Sequence, residues 1–320
     1  MKQQTFGPTS EELSCVIQGC MGLARDWDGD PNGEAARRVF RALDTALECG
    51  IDFFDHADIY GAGRCEELFG HWLAANPQVR ERIFVQTKCG IRPDIRGYDF
   101  SAAHIRQSVD KSLERLQVEH LDCLLLHRPD VLMRPDEVAG AFDSLHAAGK
   151  VRHFGVSNHH AGLVELLRAH LNQPIVANQV QLNLFHTGML DAGPDWNVQG
   201  SEVLPDATIP YCMQHKITVQ AWSPMAGGLL AGAPCAADDR RAERVAAVWP
   251  VVQELAKQKD ASTEAIVLAW LLHHPARIQP IIGTVNPKRI EASCRAVDVV
   301  LSKEEWYRLY VAGRGGRSVP

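Results

Sequence analysis

Residues 121–127 have the sequence LDCLLLH, in which three leucines stand together before a histidine. A run of apolar residues without alternation is typical of a parallel strand that is buried on both faces. The residues that follow, 136–148, have helical spacing, and 151–157 return to a strand pattern. This stretch therefore predicts a strand, a crossover helix and a second strand parallel to the first.

The same alternation extends along the whole chain of 320 residues. Eight strand patterns are each followed by a helical pattern, and they cover residues 16–18, 51–55, 83–88, 121–127, 151–157, 175–180, 218–222 and 280–282. Eight such units in a chain of this length predict an α/β protein with a closed (β/α)8 barrel, the TIM barrel. An open, doubly wound parallel sheet is the alternative.

Length alone gives a soft prior of two domains, at about 150 residues each. A barrel needs about 250 residues, however, and counts as one domain. No linker rich in Pro, Gly or Ser divides the chain, so we expect a single domain over residues 1–320 with extra helices. One of these is predicted at 303–311, where Ser302 and Glu305 form the pattern of a capping box. Residues 186–207 have the composition of an irregular loop.

Composition and charge narrow the class of protein. Hydrophobic residues make up 46% of the chain and charged residues 22%, which is typical of a globular protein. The net charge of −6 gives no reason to expect nucleic acid or an anionic membrane as partner. The longest apolar run, 265–272, is too short to cross a membrane, and the N-terminus lacks the apolar core of a signal peptide. The nine cysteines include no CxxC pair, which predicts reduced thiols and a cytoplasmic location.

Polar side chains stand at or near the C-terminal ends of six predicted strands. They are Asp55, Lys88, His127, Ser157 with Asn158, Gln179, and Trp222 with Ser223. In a (β/α)8 barrel these strand ends meet at the face that carries the active site. The segment 55–61, with the sequence DHADIYG, adds Tyr60 in the loop above that face.

These residue types indicate an acid-assisted reaction at a carbonyl group. A tyrosine hydroxyl has a reference pKa of about 10, and a nearby ammonium such as that of Lys88 lowers the pKa by stabilising the phenolate. Asp55 supplies the counter-ion that a partly buried lysine needs, and His127 can donate a hydrogen bond to the substrate oxygen. Taken singly, Tyr60 is also compatible with an ordinary loop aromatic and His127 with a core histidine.

Seven segments between residues 54 and 293 resemble the successive motifs of the aldo-keto reductase superfamily, in the order of that family. They are FDHADIYG, VQTKCG, LLLHRPD, GKVRHFGVSN, NQVQLN, VQAWSPMAGGLL and PIIGTVNPKRIEAS. The details are similar to those of bacterial aldo-keto reductases. The resemblance implies a TIM barrel and NAD(P)H-dependent reduction of an aldehyde or ketone. It also implies that Asp55, Tyr60, Lys88 and His127 form the catalytic tetrad.

The resemblance further implies a nicotinamide cofactor bound without a Rossmann fold. The sequence agrees, because the nearest GxGxxG-like stretch, 61–66, has Glu66 in place of the third glycine. By resemblance, Ser157, Asn158 and Gln179 hydrogen-bond the carboxamide and Trp222 stacks on the nicotinamide ring. The pyrophosphate is expected against a loop whose matching residues are Ser223, Pro224, Met225, Gly227, Gly228 and Leu229.

Gly283, Thr284 and Arg289 match the family's contacts to the adenosine end of the cofactor. Arg289 is expected to bind a 2′-phosphate, for which a guanidinium is well suited. The chain has Gly283 where many relatives have a lysine. We therefore expect NADPH (NADP in its oxidised form) as cofactor, with NADH also possible.

The sequence gives a less specific view of the substrate. The loop 128–134 is short, which predicts a shallow pocket for small aldehydes, ketones or dicarbonyls, lined by Trp27, Tyr60, Arg128 and His159. No metal site is expected, because the acidic stretch 26–30 departs from a calcium loop at Pro31 and Arg37. Self-association is not indicated either way.

A different class of function is the alternative. The same fold and motifs occur in cofactor-binding regulatory subunits similar to the β-subunits of potassium channels, and a fold does not by itself fix a function.

Overall fold

Eight parallel strands close into a barrel in the computed structural model, which describes residues 1–195, 206–236 and 238–320. We number the barrel strands β1 (Ile17–Gly19), β2 (Phe53–Asp55), β3 (Phe84–Cys89), β4 (Leu121–Leu126), β5 (Val151–Ser157), β6 (Ile175–Gln181), β7 (Thr218–Trp222) and β8 (Gln279–Ile282). Each strand pairs with the next along the chain, and β8 pairs with β1. The closed barrel confirms the predicted fold class and excludes the open sheet.

The α-helices of the described residues are numbered in chain order. They are α1 (Glu34–Glu48), α2 (Arg64–Ala75), α3 (Ala102–Leu116), α4 (Pro135–Ala147), α5 (Ala161–Arg168), α6 (Gly188–Asp191), α7 (Thr208–Gln214), α8 (Ala242–Gln258), α9 (Thr263–Leu272), α10 (Pro287–Cys294) and α11 (Lys303–Gly313). A helix connects each pair of successive strands. The extra helices include α8 and α11, which pack against each other.

Several helix ends follow the chemistry predicted from the sequence. Ser101 caps α3 by accepting a hydrogen bond from the backbone N–H of His104, and Ser302 and Glu305 form a complete capping box at α11. Gly50, just beyond α1, has a φ of +81°. Within the stretch 186–207, α6 was not predicted from the sequence, and residues 196–205 lie outside the described part of the chain.

A short antiparallel hairpin, Gln3–Thr5 with Glu12–Ser14, precedes the barrel. Its turn carries Phe6, whose ring packs edge-on against Phe53 and Phe84 with ring centroids 5.3 and 5.2 Å apart. Strands of three residues are too short to give a recognisable alternation, so the sequence did not predict this hairpin. The apolar cluster around Phe6 fills one end of the barrel interior.

The barrel interior also contains polar side chains, in contrast to this apolar end. Four buried glutamines lie on the inward-facing side of barrel strands, namely Gln86, Gln179, Gln220 and Gln279. Strand register pairs Asp55 with Gln86 and Gln179 with Gln220, so these residues lie at matching heights around the barrel. Buried polar groups are costly unless they find partners inside the protein, and clusters of such groups are common at functional sites. We therefore expect the functional site in this layer of the barrel.

Within the described residues, no helix is long and apolar enough to span a lipid bilayer.

Two glycines inside helices, Gly70 in α2 and Gly140 in α4, test how closely the helices pack. A methyl group added at Gly70 would overlap the carbonyl oxygen of Arg115, whereas nothing lies within 4 Å of one at Gly140. Gly70→Ala is therefore expected to lower the free energy of unfolding by about 1–3 kcal/mol. Gly140→Ala is expected to raise it by about 0.5–1 kcal/mol, because alanine favours a helix over glycine. Urea unfolding measures both, and equal effects would contradict the close approach of α2 to α3.

Candidate active site

A buried ion pair lies at the C-terminal ends of β2 and β3. The Nζ of Lys88 is 2.8 Å from Oδ1 and 2.7 Å from Oδ2 of Asp55, and it donates a third hydrogen bond to the carbonyl oxygen of His56 at 2.6 Å. The side chains of Lys88 and Asp55 are 0% and 3% exposed. Burial lowers the pKa of Lys88, but the Asp55 carboxylate and the Tyr60 hydroxyl oppose it and the pKa is raised overall. The ammonium therefore keeps its charge at neutral pH.

Tyr60 lies over this ion pair, at the start of a short 3-10 turn, Tyr60–Gly63. The centroid of its ring is 5.0 Å from the Nζ of Lys88, and the side chain is partly exposed. The sequence predicted that Lys88 lowers the pKa of Tyr60. The ammonium does act in that direction, but burial acts more strongly, and the pKa of Tyr60 is raised overall. The hydroxyl is thus protonated at neutral pH.

The turn that carries Tyr60 depends on a glycine with a left-handed backbone. Gly63 has a φ of +91°, and a Cβ there would lie 2.9 Å from Cδ of Arg115. Arg115 of α3 pairs with the fully buried Glu66. Its Nε and Nη2 atoms lie 2.8 and 2.6 Å from Oε2 of Glu66. Glu66 also accepts a hydrogen bond from Thr87 at 2.6 Å. This contact fixes the loop of Tyr60 to α3 and β3.

His127 follows β4 and faces the edge of Tyr60, with ring centroids 6.0 Å apart. Burial, together with the charges of Lys88 and Arg128, lowers the pKa of His127 to about 3. The imidazole is therefore neutral at neutral pH and carries one N–H donor. Its Nδ1 has no hydrogen-bond partner in the described structure.

The next three strands place a hydrogen-bonded group beside this site. The hydroxyl of Ser157 donates to the carbonyl oxygen of Gln179 at 2.8 Å. Asn158 donates to Ser157 at 2.9 Å and to the carbonyl oxygen of His127 at 3.2 Å, and it accepts from Nε1 of Trp222 at 3.0 Å. The structure thus brings together all the residues that the resemblance assigned to the nicotinamide end.

The loop after β7 has a strained backbone. Positive φ angles occur at Ser223 (53°) and Ala226 (48°), which carry a Cβ, and at Gly227 (73°) and Gly228 (96°). Asn183, buried in the loop after β6, donates through Nδ2 to the carbonyl oxygen of Ser223 at 2.9 Å. Strained loops of this kind concentrate at functional sites when the surrounding structure holds them in place. Pro224, Met225 and Leu229 belong to the same loop.

A cavity of about 780 Å³ adjoins this loop, and sequence reasoning missed most of its lining. Ser223 and Gly227 face three arginines across it, Arg240, Arg241 and Arg244. Arg241 is paired with Asp239 at 2.6 Å and Arg244 donates to the carbonyl oxygen of Phe185 at 2.7 Å. The close spacing of the three arginines was available as a signal in the sequence. Only the fold, however, shows that they face the glycine loop.

The residues expected at the adenosine end follow β8. Gly283 has nothing within 4 Å of where a Cβ would lie, and Thr284 accepts a hydrogen bond from Gln18 through its backbone carbonyl oxygen. Arg289 lies in α10, with its Nε 3.3 Å from Oε1 of Glu264 and its side chain 43% exposed. Its guanidinium is therefore accessible to a ligand.

The three residues suggested as substrate lining beside Tyr60 differ in position. Trp27 is 3% exposed, with its ring against Arg64 and its Nε1 donating to the carbonyl oxygen of Asp30. His159 is 1% exposed and stacks on Phe100. Both side chains are thus almost fully buried, which leaves them little surface for contact with a substrate. Arg128 is partly exposed.

The guanidinium carbon of Arg128 lies 5.9 Å from the ring centroid of Trp222. This is within the range of a cation–π contact, which holds the cation at the site. Across residues 1–195, 206–236 and 238–320, no cluster of three or more His, Cys, Asp or Glu side chains has the arrangement of a metal site.

Asp58 is a site residue that sequence reasoning did not single out. It lies between Asp55 and Tyr60 in the DHADIYG segment, and its buried Oδ1 has no hydrogen-bond partner in the described structure. Burial and the nearby charge of Glu66 raise the pKa of Asp58 from 3.8 to about 7. Only the folded structure brings these two carboxyl groups together, since they belong to different elements.

The chain is similar to known proteins along nearly its whole length. The model of the aldo/keto reductase family matches residues 16–311. The chain is 38% identical to the uncharacterised oxidoreductase YcsN of Bacillus subtilis, over 95% of each chain. It is 32% identical to the 6-dehydroglucose reductase of Agrobacterium fabrum, again over 95% of each chain. The solved structure of the thermostable aldo-keto reductase Tm1743 superposes on this chain with a TM-score of 0.78, over 98% of this chain and 100% of the other. The two sequences are 24% identical, so this likeness supports the fold alone.

The environment of Asp58 predicts a pH-dependent stability. Its pKa is about 7 in the folded chain and 3.8 when unperturbed, so between these values the folded form binds a proton that the unfolded form releases. The contribution of Asp58 to the free energy of unfolding therefore falls as pH rises through this window, by about 1 kcal/mol per pH unit.

The matched variant is Asp58→Asn, whose amide has nearly the same shape but cannot titrate. Urea unfolding of the wild type and of this variant at half-unit steps of pH should give a difference in stability that changes between about pH 4 and 7 and is flat above about pH 8. A difference that stays constant over the whole range would contradict the raised pKa.

Proposed function

The chain belongs to the aldo/keto reductase family and is an NAD(P)H-dependent oxidoreductase, and from this premise we propose that it uses NADPH to reduce an aldehyde or ketone to an alcohol, with Tyr60 as the proton donor. The observation that carries the proposal is the arrangement of four residues. A buried, charged Lys88–Asp55 pair lies beneath Tyr60 and next to His127, both of which are partly exposed. This arrangement suits acid-assisted carbonyl chemistry, because it places a proton donor and a hydrogen-bond donor beside a fixed positive charge.

The residues around the site fit a nicotinamide cofactor. A dinucleotide needs polar groups for its carboxamide, backbone and cations for its diphosphate, and open space along its length. Ser157, Asn158 and Gln179 supply the first, and the loop at Gly227 with the arginines of the cavity supplies the second. No atom lies within 4 Å of the Cβ position of Gly227 or Gly283, so a ligand has room there. When bound, such a cofactor supplies the hydride.

Tyr60 is suited to give a proton rather than to take one. Its raised pKa keeps the hydroxyl protonated at neutral pH, and the charge of Lys88 stabilises the phenolate that remains after the proton has left. Asp55 holds the ammonium in place. The phenolate is therefore more stable than it would be at a buried site without a cation.

His127 is suited to orient the substrate. As a neutral imidazole it can donate one hydrogen bond to the carbonyl oxygen without competing with Tyr60 for the proton. It follows β4 with its ring centroid 6.0 Å from that of Tyr60, so both groups are close enough to contact one small substrate. A carbonyl oxygen bound there would be held at a fixed distance from the acid.

The polarity of the site and the name of one relative support a substrate class. Arg128, held against Trp222, brings a cation to the exposed side of the site. A hydroxylated or dicarbonyl substrate can accept hydrogen bonds from it. The relative from Agrobacterium fabrum is named for reduction of 6-dehydroglucose. We therefore propose small, polar aldehydes and ketones as substrates, with 6-dehydroglucose as the first compound to assay.

We also propose that the enzyme works in the cytoplasm. All nine cysteine thiols are free in the structure, as is usual for a protein of a reducing compartment.

Replacement of Tyr60 tests the assignment of the acid. Tyr60→Phe should bind NADPH as the wild type does, because the ring remains, but should lower kcat by about 10²–10⁴-fold with a poor substrate, for which chemistry limits the rate. Steady-state NADPH oxidation gives kcat, and a titration gives the Kd of the cofactor. Near-native turnover of the variant would exclude Tyr60 as the acid. A wild type that binds NADPH but reduces none of the carbonyls assayed would instead favour a regulatory subunit.

Replacement of Arg289 tests the preference for NADPH. NADPH differs from NADH by the 2′-phosphate, and a charge-assisted hydrogen bond to a phosphate contributes about 1.5–3 kcal/mol, or about ten- to a hundredfold in affinity. Arg289→Ala should weaken NADPH binding by that factor and leave NADH binding nearly unchanged. Lys288→Ala, in the same helix, is the matched comparison. Equal losses for both cofactors in Arg289→Ala would mean that Arg289 supports the fold, through Glu264. A selective loss in Lys288→Ala would move the contact to Lys288.

A further inference from the structure

Three buried glutamines form a hydrogen-bonded cluster with Asp55. Gln86 and Gln179 each donate through Nε2 to Oδ1 of Asp55, at 2.7 and 2.9 Å. Each also donates through Nε2 to Oε1 of Gln220, at 2.9 and 3.1 Å. Gln220 in turn donates to Oε1 of Gln86 at 3.3 Å. We refer to Gln86, Gln179 and Gln220 as the glutamine cluster. Its three side chains are 0–2% exposed.

The orientation of every amide in the cluster follows from the charge on Asp55. A carboxylate paired with a lysine can only accept hydrogen bonds, so Gln86 and Gln179 must turn their NH2 groups toward it. An amide NH2 group has two protons. The second proton of each points at Gln220, which must therefore present its carbonyl oxygen and not its NH2 group. One set of orientations satisfies all these contacts.

This arrangement leaves one acceptor of the cluster free for a ligand. Both N–H donors of Gln179 are used, by Asp55 and by Gln220. Its Oε1 accepts no hydrogen bond within the cluster. This oxygen is also not a fully buried atom without a partner, so it lies where a ligand can reach it. Gln179 is also fixed at its backbone, where its carbonyl oxygen accepts from Ser157. The side chain can thus only offer an acceptor to a ligand, and Gln179 lies beside Ser157, its register partner in β5.

We propose that Gln220 is a positioning residue, whose carbonyl oxygen holds the Gln179 amide so that Oε1 of Gln179 accepts a hydrogen bond from the NH2 group of the cofactor carboxamide. This inference rests on the proposed function, since it assumes the nicotinamide end beside Gln179. Without Gln220 the Gln179 amide keeps only its contact to Asp55, so its second N–H is unpartnered and the side chain can shift from the position in which Oε1 meets the carboxamide. A loss of Gln220 should therefore weaken binding of the cofactor.

Another buried glutamine provides a matched control. Gln279 is in the neighbouring strand β8, paired in register with Gln220, and both are 0% exposed. It donates to the carbonyl oxygen of Ser14 at 3.0 Å and makes no hydrogen bond to the glutamine cluster within the described structure. Substitution of Gln279 likewise replaces a fully buried glutamine of the barrel but leaves the contacts of Gln179 in place.

The test compares Gln220→Met, Gln220→Glu and Gln279→Met with the wild type. Methionine keeps the length of the side chain and removes the acceptor. A buried glutamic acid that stays protonated at about pH 6 keeps the pattern of the amide, with one carbonyl acceptor and one O–H donor. Isothermal titration calorimetry measures the Kd for NADPH. Thermal unfolding without cofactor measures the structural effect, and steady-state kinetics separates kcat from KM.

Gln220→Met should raise the Kd for NADPH about 3- to 10-fold, which is the loss of one hydrogen bond, whereas Gln279→Met should leave it within about 2-fold. Gln220→Met should lose more thermal stability than Gln279→Met, because Gln220 makes three hydrogen bonds in the cluster and Gln279 makes one in the described structure. Gln220→Glu at about pH 6 should return the Kd to within about 2-fold of the wild type.

Equal Kd values for the two methionine variants, or a failure of Gln220→Glu to restore binding, would overturn the role of Gln220 while leaving the proposed function intact. A wild type that does not bind NADPH would instead overturn the proposed function, and this inference with it.

Discussion

An ammonium group inside a protein must be paired, because moving an isolated charge out of water costs several kcal/mol even after the structure has relaxed. Lys88 meets this requirement with three acceptors, the two oxygens of Asp55 and the carbonyl oxygen of His56. The pair then determines what surrounds it. Donors of the glutamine cluster satisfy the carboxylate. The ammonium opposes the effect of burial on the pKa of Tyr60, and it adds to the effect of burial that lowers the pKa of His127 and keeps the imidazole neutral. A change at either partner would leave a buried charge without compensation.

The barrel makes this arrangement possible by separating two tasks. One end of its interior, around Phe6, Phe53 and Phe84, is closed by aromatic packing and supplies stability. The layer above contains amides and charges whose orientations are fixed by one another, so the site is held in one geometry before any ligand binds. Preorganised polar groups need little rearrangement during a reaction, and this is the main way in which such sites stabilise developing charge.

The loops at the mouth of the barrel supply left-handed backbone conformations that regular strands do not have. The left-handed residues at Ser223 and Ala226 are strained, and Asn183 holds that loop from β6 while Arg240, Arg241 and Arg244 face it across the cavity. On the other side of the mouth, Arg115 and Glu66 fix the turn of Tyr60. The two loops belong to distant parts of the chain. The barrel brings them to the same face because all its strands run in one direction.

The sequence by itself predicted the eight strands, their parallel direction and the residues of the ion pair, because these depend on local patterns: continuous apolar runs, helix caps, and polar residues placed directly after a strand. The tertiary structure decided that the sheet closes into a barrel, since closure depends on the pairing of β8 with β1. The sequence did not identify the hairpin at Gln3–Thr5, whose strands are too short to show a period, nor Gln86, Gln220 and Asp58 as parts of the site. A glutamine inside an apolar strand has no distinguishing pattern, and the carboxyl of Asp58 is perturbed by Glu66, which only the folded chain brings near. The net direction of the Tyr60 pKa was also decided by the tertiary structure, because desolvation depends on everything packed around a group, whereas the sequence reveals only which charges are present.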